Sequence, residues 1–182
     1  VATKFFPYPW RFVKGFIPRA LKASLERLGT ESVELYQIHW PSVVMSPETL
    51  MEGMVECVKQ GLTRTVGVSN FGHKRMLRAY STLAQHGIPL ASNQVHYSLL
   101  SREVEKNGTL ARCKELGIRL IAYSPLEQGL LTGKYTPENP PPGVRGTRYA
   151  DFIKKLPPVI KVLQEVAQNH GKSVSQVALN WV

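Results

Sequence analysis

The chain of 182 residues is 43% hydrophobic and 20% charged, which is typical of a globular protein with a substantial core and excludes a low-complexity chain. It has no apolar run of about 18 residues, so we predict no membrane span. The formal net charge of +10 invites a nucleic-acid interpretation, but the basic residues are scattered and not interleaved with aromatics, which predicts no nucleic-acid partner.

The first predicted unit combines a strand at Val1–Lys4 with a helix that begins near Pro18 and ends before Gly29. Proline fits the first turn of a helix, and glycine fits the residue that follows its last turn. The buried face of this helix is predicted from leucines at helical spacing: Leu21, Leu25 and Leu28.

The next two units repeat the order of strand and helix. A strand at Val33–His39 precedes a helix capped by Ser46, with Pro47 at its first position. A strand at Thr65–Asn70 precedes a helix that ends before Gly87. The apolar residues that predict the two buried faces are Leu50, Met51, Met54, Val55 and Val58, and then Met76, Leu77, Tyr80, Leu83 and Ala84.

The rest of the chain holds two more predicted strands, Ala91–Gln94 and Leu120–Ser124. A proline-rich stretch, Thr136–Gly146, follows the fifth strand and is predicted to be a long loop on the functional face. Ser173 and Gln176 form a predicted capping box for the last helix. The predicted helix faces carry Leu110, Cys113 and Leu116, then Ile160, Leu163, Val166 and Ala167, and finally Val177, Ala178 and Trp181.

Strand alternating with helix predicts an α/β fold with a parallel sheet and right-handed crossovers. The strands recur at intervals of about 30 residues, roughly one unit of a (β/α)8 TIM barrel, which needs eight strands. About five units are present here, so we interpret the chain as an internal piece of a longer protein. On its own, this piece is predicted to be poorly folded or oligomeric, because its outer strands would expose free edges.

Each predicted strand ends on a polar residue. In a barrel the carboxyl ends of all the strands open on the same face, so these side chains are expected to meet and form an enzyme site. The residues are Lys4, His39, Ser69, Asn70, Gln94 and Tyr123. The two cysteines, Cys57 and Cys113, have no spacing typical of a metal or redox motif, and we predict no metal site.

Five motifs stand in order at these strand ends: Ala2–Lys4, Tyr36–Pro41, Gly67–Phe71, Asn93–Val95, and Ala122–Leu126 running into Gly129–Lys134. Together they resemble the aldo-keto reductase family over essentially the whole chain. Three further segments resemble the plant and cyanobacterial branch that includes pyridoxal reductases: Tyr8–Arg11, Gly87–Gln94 and Lys134–Pro140. The resemblance implies strands 3–7 of a TIM barrel and one NADP-dependent oxidoreductase domain over residues 1–182, truncated at both ends.

The family resemblance implies hydride transfer from NADPH to an aldehyde or ketone, without metal, while a tyrosine hydroxyl donates a proton to the carbonyl oxygen. A phenol with a pKa near 10 is a poor acid unless its phenolate is stabilised. Lys4 matches the lysine that supplies this charge, and His39 matches the histidine that orients the substrate oxygen. The resemblance implies that the proton-donating tyrosine, and the aspartate that holds the lysine, would lie before Val1.

The resemblance also implies a cofactor site. Ser69, Asn70 and Gln94 match the residues that hold the nicotinamide carboxamide, and Tyr123 matches the aromatic residue on which the ring stacks. The residues that match the pyrophosphate loop are Ser124, Pro125, Leu126 and Gln128. Two basic residues, Lys134 and Arg145, match contacts to the cofactor's phosphates and adenosine.

Two residues depart from the family pattern. His96 stands where a glutamate is frequent, and Glu127 stands in the pyrophosphate loop where a small residue is usual. The Glu127 carboxylate would repel phosphates unless it points to solvent or pairs with a base such as Lys134.

Structural interpretations remain open for each site residue taken singly. His39 could be a core histidine, Ser69 and Asn70 could cap a helix, and Gln94 could satisfy a buried backbone group. A second functional hypothesis is a cofactor-binding auxiliary subunit with little turnover, resembling the potassium-channel branch of the family. For the reductase we expect a small-molecule carbonyl substrate, no membrane partner, and a chloroplast or cytoplasmic location.

Overall fold

The computed structural model describes residues 1–182, and strands alternate with helices as predicted. The strands are β1 Ala2–Phe5, β2 Val33–Ile38, β3 Thr63–Ser69, β4 Leu90–His96 and β5 Arg119–Tyr123. The helices are α1 Phe16–Leu28, α2 Pro47–Lys59, α3 His73–Ala84, α4 Glu103–Lys106, α5 Thr109–Glu115, α6 Val144–Arg148, α7 Ala150–Asn169 and α8 Val174–Trp181. A 3₁₀ segment, Glu127–Thr132, follows β5.

The five strands form one sheet in the order β1-β2-β3-β4-β5, so each strand lies beside the next one in the chain. Strand β1 pairs with β2, β2 with β3 and β3 with β4, and each of these pairs is parallel. Each pair of strands is joined through at least one helix, because parallel strands cannot be connected by a tight turn. The predicted parallel α/β architecture is therefore confirmed, with an incomplete sheet of five strands.

The pairing of β3 with β4 contains a register shift between Val66 and Gly67. A Cβ atom at Gly67 would collide with the Ser92 Oγ and lie 3.0 Å from the Ser92 carbonyl oxygen. The Ser92 hydroxyl is also used by the buried Gln37, whose Nε2 donates to it over 3.3 Å. Glycine is therefore required where β4 approaches β3 this closely.

Contacts divide the chain into two compact units, and each has its own core. The first comprises 1–95 and 103–121, and its core includes Phe5, Tyr36 and Met54, all inaccessible to solvent. The second comprises 96–102 and 122–182, and its core is formed around Leu131 and Ile153. The prediction of one oxidoreductase domain over 1–182 concerns function and stays a prediction.

The predicted helix ends are confirmed at three places. Gly29 follows α1 with φ of 64°, a left-handed conformation that costs glycine little. Ser46 caps α2 by accepting a hydrogen bond from the backbone N–H of Thr49. Ser173 and Gln176 form the predicted capping box of α8, with both reciprocal hydrogen bonds present.

Some predicted helix faces and loops were wrong in detail. Leu28 is exposed because it is the last residue of α1, next to the turn at Gly29. Leu77 and Ala84 are exposed because they lie about 90° round α3 from Met76, whose side chain is buried. Val166 similarly points away from the buried face of α7.

The proline-rich loop predicted at 136–146 is shorter than expected. Its last residues belong to α6, which begins at Val144, directly after Gly143, a glycine with a positive φ of 65°. The 3₁₀ segment before the loop was not predicted either, because its short turns carry no apolar periodicity. The longest helix, α7, runs through Pro157 and Pro158. None of the helices combines the length and apolar character needed to cross a membrane.

Replacing Ser46 with alanine is expected to destabilise the full-length protein by about 0.5–2 kcal/mol, because the N–H of Thr49 loses its acceptor. Urea unfolding measures this change in the free energy of unfolding. Ser81→Ala is the matched control, since Ser81 is exposed within α3 and alanine favours a helix. Equal stability of the two variants would contradict a capping role for Ser46.

Candidate active site

Lys4 and His39 are brought together by the pairing of β1 with β2. Lys4 is in register with Gln37, and the backbone N–H of His39 donates to the Phe5 carbonyl over 2.8 Å. Each side chain is half-buried at the carboxyl end of its strand. The strand pairing therefore places Lys4 and His39 at neighbouring strand ends.

The electrostatics of this pair follow from the same geometry. Partial burial lowers the pKa of His39, and the positive charge of Lys4 lowers it further. With its pKa below the ordinary value of about 6.5, the imidazole is neutral near pH 7. A neutral imidazole has one N–H that can donate a hydrogen bond to a carbonyl oxygen without carrying a charge.

A row of aromatic side chains extends outward from His39. The Phe6 and His39 rings meet edge to face with centroids 5.5 Å apart, and Tyr8 lies 4.5 Å from Phe6. Trp10 stacks on Tyr8 with centroids 4.6 Å apart and planes 6° from parallel. Trp10 is 64% exposed, so this aromatic row offers a flat apolar surface to solvent.

Ser69, Asn70 and Gln94 form a second group, at the ends of β3 and β4. Both the Ser69 hydroxyl and the Asn70 backbone N–H donate to the Gln94 carbonyl over 2.8 Å. Asn70 is left-handed, with φ of 61°, and its side-chain amide donates to the carbonyl oxygen of His39 over 3.2 Å. These contacts join Ser69, Asn70 and Gln94 to His39 within the first unit.

This second group has side chains that can form hydrogen bonds with a bound amide. The Gln94 side chain is half-buried and makes no hydrogen bond within the chain. An amide side chain offers both a donor and an acceptor, which is the complement of a carboxamide. The donor set of this unit therefore fits the carboxamide end of a nicotinamide.

Asn93 fixes the backbone beside this second group. Its side chain is fully buried, its Nδ2 donates to the Phe71 carbonyl over 2.7 Å, and its Oδ1 accepts from the Phe71 N–H over 3.4 Å. The amide thus replaces a missing strand partner for the residue that follows Asn70. Sequence analysis missed this role, because it noted Asn93 only as part of a motif.

Tyr123 ends β5 and belongs to the second unit. Its ring stacks on the His96 ring with centroids 5.3 Å apart and planes 7° from parallel. Burial raises the pKa of the Tyr123 hydroxyl, and the negative charge of Glu127 raises it further. The phenol therefore stays protonated and neutral at physiological pH.

The segment after Tyr123 follows a strained path. Ser124, Glu127 and Gln128 all have positive φ, at 53°, 47° and 53°. Non-glycine residues in this region cost energy and persist where surrounding contacts hold them. The Glu127 N–H donates to the Ser124 carbonyl over 2.9 Å, while Pro125 and Leu126 between them are half-buried.

Glu127 points inward, and the base that it lies beside is His96 and not Lys134. Its side chain is only 9% exposed, and its Oε1 accepts from the Ser98 hydroxyl over 2.6 Å. The same oxygen lies 2.7 Å from His96 Nε2, although that nitrogen makes no well-aligned hydrogen bond. The suggested pairing with Lys134 is wrong, because the Lys134 ammonium lies over the Tyr135 ring, 4.6 Å from its centroid.

The remaining predicted cofactor residues lie on the surface of the second unit. Gln128 is exposed and its Nε2 donates to the Ser124 hydroxyl over 3.4 Å. Lys134 and Arg145 are exposed, with Arg145 on α6. Exposed cations in this unit are available to an anionic ligand.

The structure thus joins five of the predicted residues in the first unit and places the remaining predicted residues in the second unit. The five are Lys4, His39, Ser69, Asn70 and Gln94. That Tyr123 completes the same site stays a prediction. Sequence analysis missed the contact between His96 and Glu127, although it singled out both residues as departures.

The comparisons with known proteins agree over the whole chain. The family model described as the aldo/keto reductase family matches residues 1–182. Pyridoxal reductase, chloroplastic, from Arabidopsis thaliana is 42% identical over 184 residues, covering 100% of this chain and 50% of the relative. L-glyceraldehyde 3-phosphate reductase from Escherichia coli strain K12 is 31% identical, covering 97% of this chain and 53% of the relative.

Among solved structures, the thermostable aldo-keto reductase Tm1743, crystallised with the inhibitor epalrestat, is similar with a TM-score of 0.75. It is 31% identical, and the match covers 99% of this chain and 55% of that one. This chain therefore spans about half the length of the proteins it matches. Its five parallel strands correspond to part of their (β/α)8 barrel.

Proposed function

This chain belongs to the aldo/keto reductase family, and on that premise we propose that the protein reduces an aldehyde or ketone with NADPH. The observation that carries the proposal is the placement of Lys4 and His39 at neighbouring strand ends, where the positive charge of Lys4 contributes to the lowered pKa of His39. This arrangement supplies an uncharged hydrogen-bond donor and a fixed positive charge at one place. Both are needed where negative charge develops on a carbonyl oxygen.

In the proposed reaction, His39 donates a hydrogen bond to the substrate carbonyl oxygen and fixes its direction. Lys4 lowers the energy of the phenolate left by a proton-donating tyrosine, which we place outside residues 1–182. Bound NADPH would supply the hydride that attacks the carbonyl carbon. Because the acid lies elsewhere, we propose that these residues alone are inactive.

The proposed cofactor contacts differ in the part of the cofactor that they hold. Ser69, Asn70 and Gln94 are proposed to bind the carboxamide, and Tyr123 to stack against the ring. The proposed pyrophosphate and adenosine contacts are Ser124, Pro125, Leu126, Gln128, Lys134 and Arg145. The exposed cations Lys134 and Arg145 support binding of an anionic dinucleotide.

The aromatic row of Phe6, Tyr8 and Trp10 supports a substrate whose aldehyde is attached to a flat ring, since such rings stack favourably on aromatic faces. The plant relative is named as a pyridoxal reductase, and pyridoxal is therefore the first substrate we propose. The bacterial relative named for L-glyceraldehyde 3-phosphate makes small phosphorylated aldehydes the alternative.

We further propose that residues 1–182 form part of a larger oxidoreductase domain, which the half-length match to the relatives supports. A small carbonyl compound is the proposed partner, with neither nucleic acid nor membrane involved. A chloroplast location is proposed from the name of the plant relative, with the cytoplasm as the alternative.

Fluorescence titration of the full-length protein with NADPH and NADH tests the cofactor, and a panel of aldehydes then tests turnover. We expect tighter binding of NADPH and aldehyde-dependent oxidation of it, fastest with pyridoxal or another ring aldehyde. Tight NADPH binding without turnover of any aldehyde would favour the auxiliary-subunit hypothesis. If the protein binds neither NADPH nor NADH, the proposed function is refuted.

A further inference from the structure

The two residues that depart from the family pattern contact each other. Glu127 Oε1 lies 2.7 Å from His96 Nε2 and accepts from the Ser98 hydroxyl over 2.6 Å. His96 Nδ1 lies 3.2 Å from the Ser101 hydroxyl, and the Ser98 hydroxyl accepts from the Ser101 backbone N–H over 3.0 Å. These contacts close a ring of polar groups within the second unit.

This polar ring connects two backbone segments of different character. Ser98 and Ser101 also exchange two backbone hydrogen bonds of 3.2 Å, so the segment after β4 is a fixed turn. Glu127 lies in the strained segment after β5, where its own φ is 47°. A strained backbone persists where other contacts over-determine it, and the buried Glu127 carboxylate supplies such contacts.

The same pair determines how Tyr123 is presented. The His96 ring covers one face of the Tyr123 ring, in nearly parallel planes. The charge of Glu127 reaches the Tyr123 hydroxyl, since it contributes to the raised pKa of that group.

We propose that His96 and Glu127 act as a coupled pair of positioning residues, which fix Tyr123 and the Ser124–Gln128 segment in the conformation that binds the cofactor. This inference rests on the proposed function. It also resolves the electrostatic conflict noted from sequence, because the Glu127 carboxylate is buried against His96 and Ser98. The carboxylate is turned inward, where the Ser98 hydroxyl donates to it, and we propose that it does not face bound phosphates.

The geometry makes the two positions interdependent. A glutamate at position 96 would bring a second carboxylate close to the buried Glu127 side chain, and two like charges at such close range repel each other. Removing the carboxylate at position 127 would relieve that repulsion. His96→Glu is therefore expected to weaken NADPH binding more when it is made alone than when it is combined with Glu127→Ala.

The test measures the Kd for NADPH by fluorescence in the full-length protein and its single and double variants at a temperature where all are folded. We expect Glu127→Ala to weaken NADPH binding about tenfold or more, since the hydrogen bond from Ser98 to the buried carboxylate and its contact with His96 are lost. His96→Glu should weaken binding at least as much. The double variant should bind NADPH more tightly than His96→Glu alone.

Glu165→Ala is the control, because Glu165 is exposed on α7 and removing it should leave the Kd unchanged. Thermal melting of every variant separates positioning from stability, since a purely structural pair would lower Tm and leave the Kd of the folded protein unchanged. If Glu127→Ala does not fold, Glu127→Gln takes its place; it keeps an acceptor for Ser98 and should weaken binding more than Glu165→Ala does.

Two results would overturn the inference. One is a fold-increase in Kd for the double variant that equals the product of the increases in the two single variants. The other is a Kd within twofold of wild type for the position 127 variant. If the unmodified protein binds NADPH, either result refutes the pair alone and leaves the proposed function standing. If the unmodified protein binds neither NADPH nor NADH, the proposed function fails, and this inference fails with it.

Discussion

Replacing Lys4 with methionine is expected to reduce kcat for aldehyde reduction by about 10²–10⁴-fold in the full-length protein, the range associated with loss of acid catalysis. Methionine keeps the length and apolar stem of the side chain but removes the charge that stabilises a phenolate. The Kd for NADPH should change little, because Lys4 is not among the residues proposed to hold the cofactor. Steady-state kinetics with a separate fluorescence titration measures both quantities.

The same variant has a second, independent readout at His39. The Lys4 charge is one of two causes that lower the pKa of His39, so its removal should raise that pKa towards its ordinary value. NMR titration of the imidazole protons follows this change directly. Lys161→Met, an exposed position on α7, is the control and should alter neither kcat nor the His39 titration. An unchanged kcat in Lys4→Met would contradict the proposed mechanism.

The sign of the pH effect on stability follows from the direction of the His39 shift. Because its pKa is lowered on folding, the unfolded chain binds a proton more readily than the folded protein. The contribution of this group to stability is therefore fully present above about pH 6.5 and is lost as the pH falls below that value. Lys4→Met should reduce this loss, since it brings the folded pKa closer to the unfolded one.

The largest loss of stability is expected for Asn93→Leu. Leucine has a similar volume, but it leaves the N–H and C=O of Phe71 without the partners that Asn93 provides. Phe71 is 1% exposed, so water cannot replace them. Unpaired buried groups cost about 1–3 kcal/mol each, which predicts a destabilisation of roughly 2–5 kcal/mol in urea unfolding of the full-length protein.

The Asn93 variant should also weaken NADPH binding, because Asn70 precedes Phe71 and Gln94 follows Asn93 in the chain. Loss of the hydrogen bonds between the Asn93 side chain and the Phe71 backbone would disturb the proposed carboxamide contacts of both Asn70 and Gln94. Asn169→Leu, at an exposed position that ends α7, should change the free energy of unfolding by less than about 0.5 kcal/mol. A folded Asn93→Leu protein with normal cofactor affinity would show that Asn93 has a purely structural role.

The amino-acid sequence by itself determined the order and type of the main elements. Apolar runs predicted all five strands to within about two residues at each end, and caps such as Ser46 and Ser173 predicted where helices begin. These features are local, since capping and strand burial depend on a few neighbouring residues. The polar residues at the strand ends could be located for the same reason. That they form one site stays a prediction, which rests on a parallel sheet placing the ends of its strands along one edge.

Only the tertiary structure decided which polar side chains contact each other across the chain. Glu127 and His96 are 31 positions apart, and nothing in the local pattern predicted that the carboxylate would turn inward to meet the imidazole. The hydrogen bonds from the Asn93 side chain to Phe71 and the lowered pKa of His39 are likewise consequences of contacts between distant segments. Periodicity specifies which face of an element is buried, whereas contact, burial and charge compensation depend on what the rest of the fold places against that face.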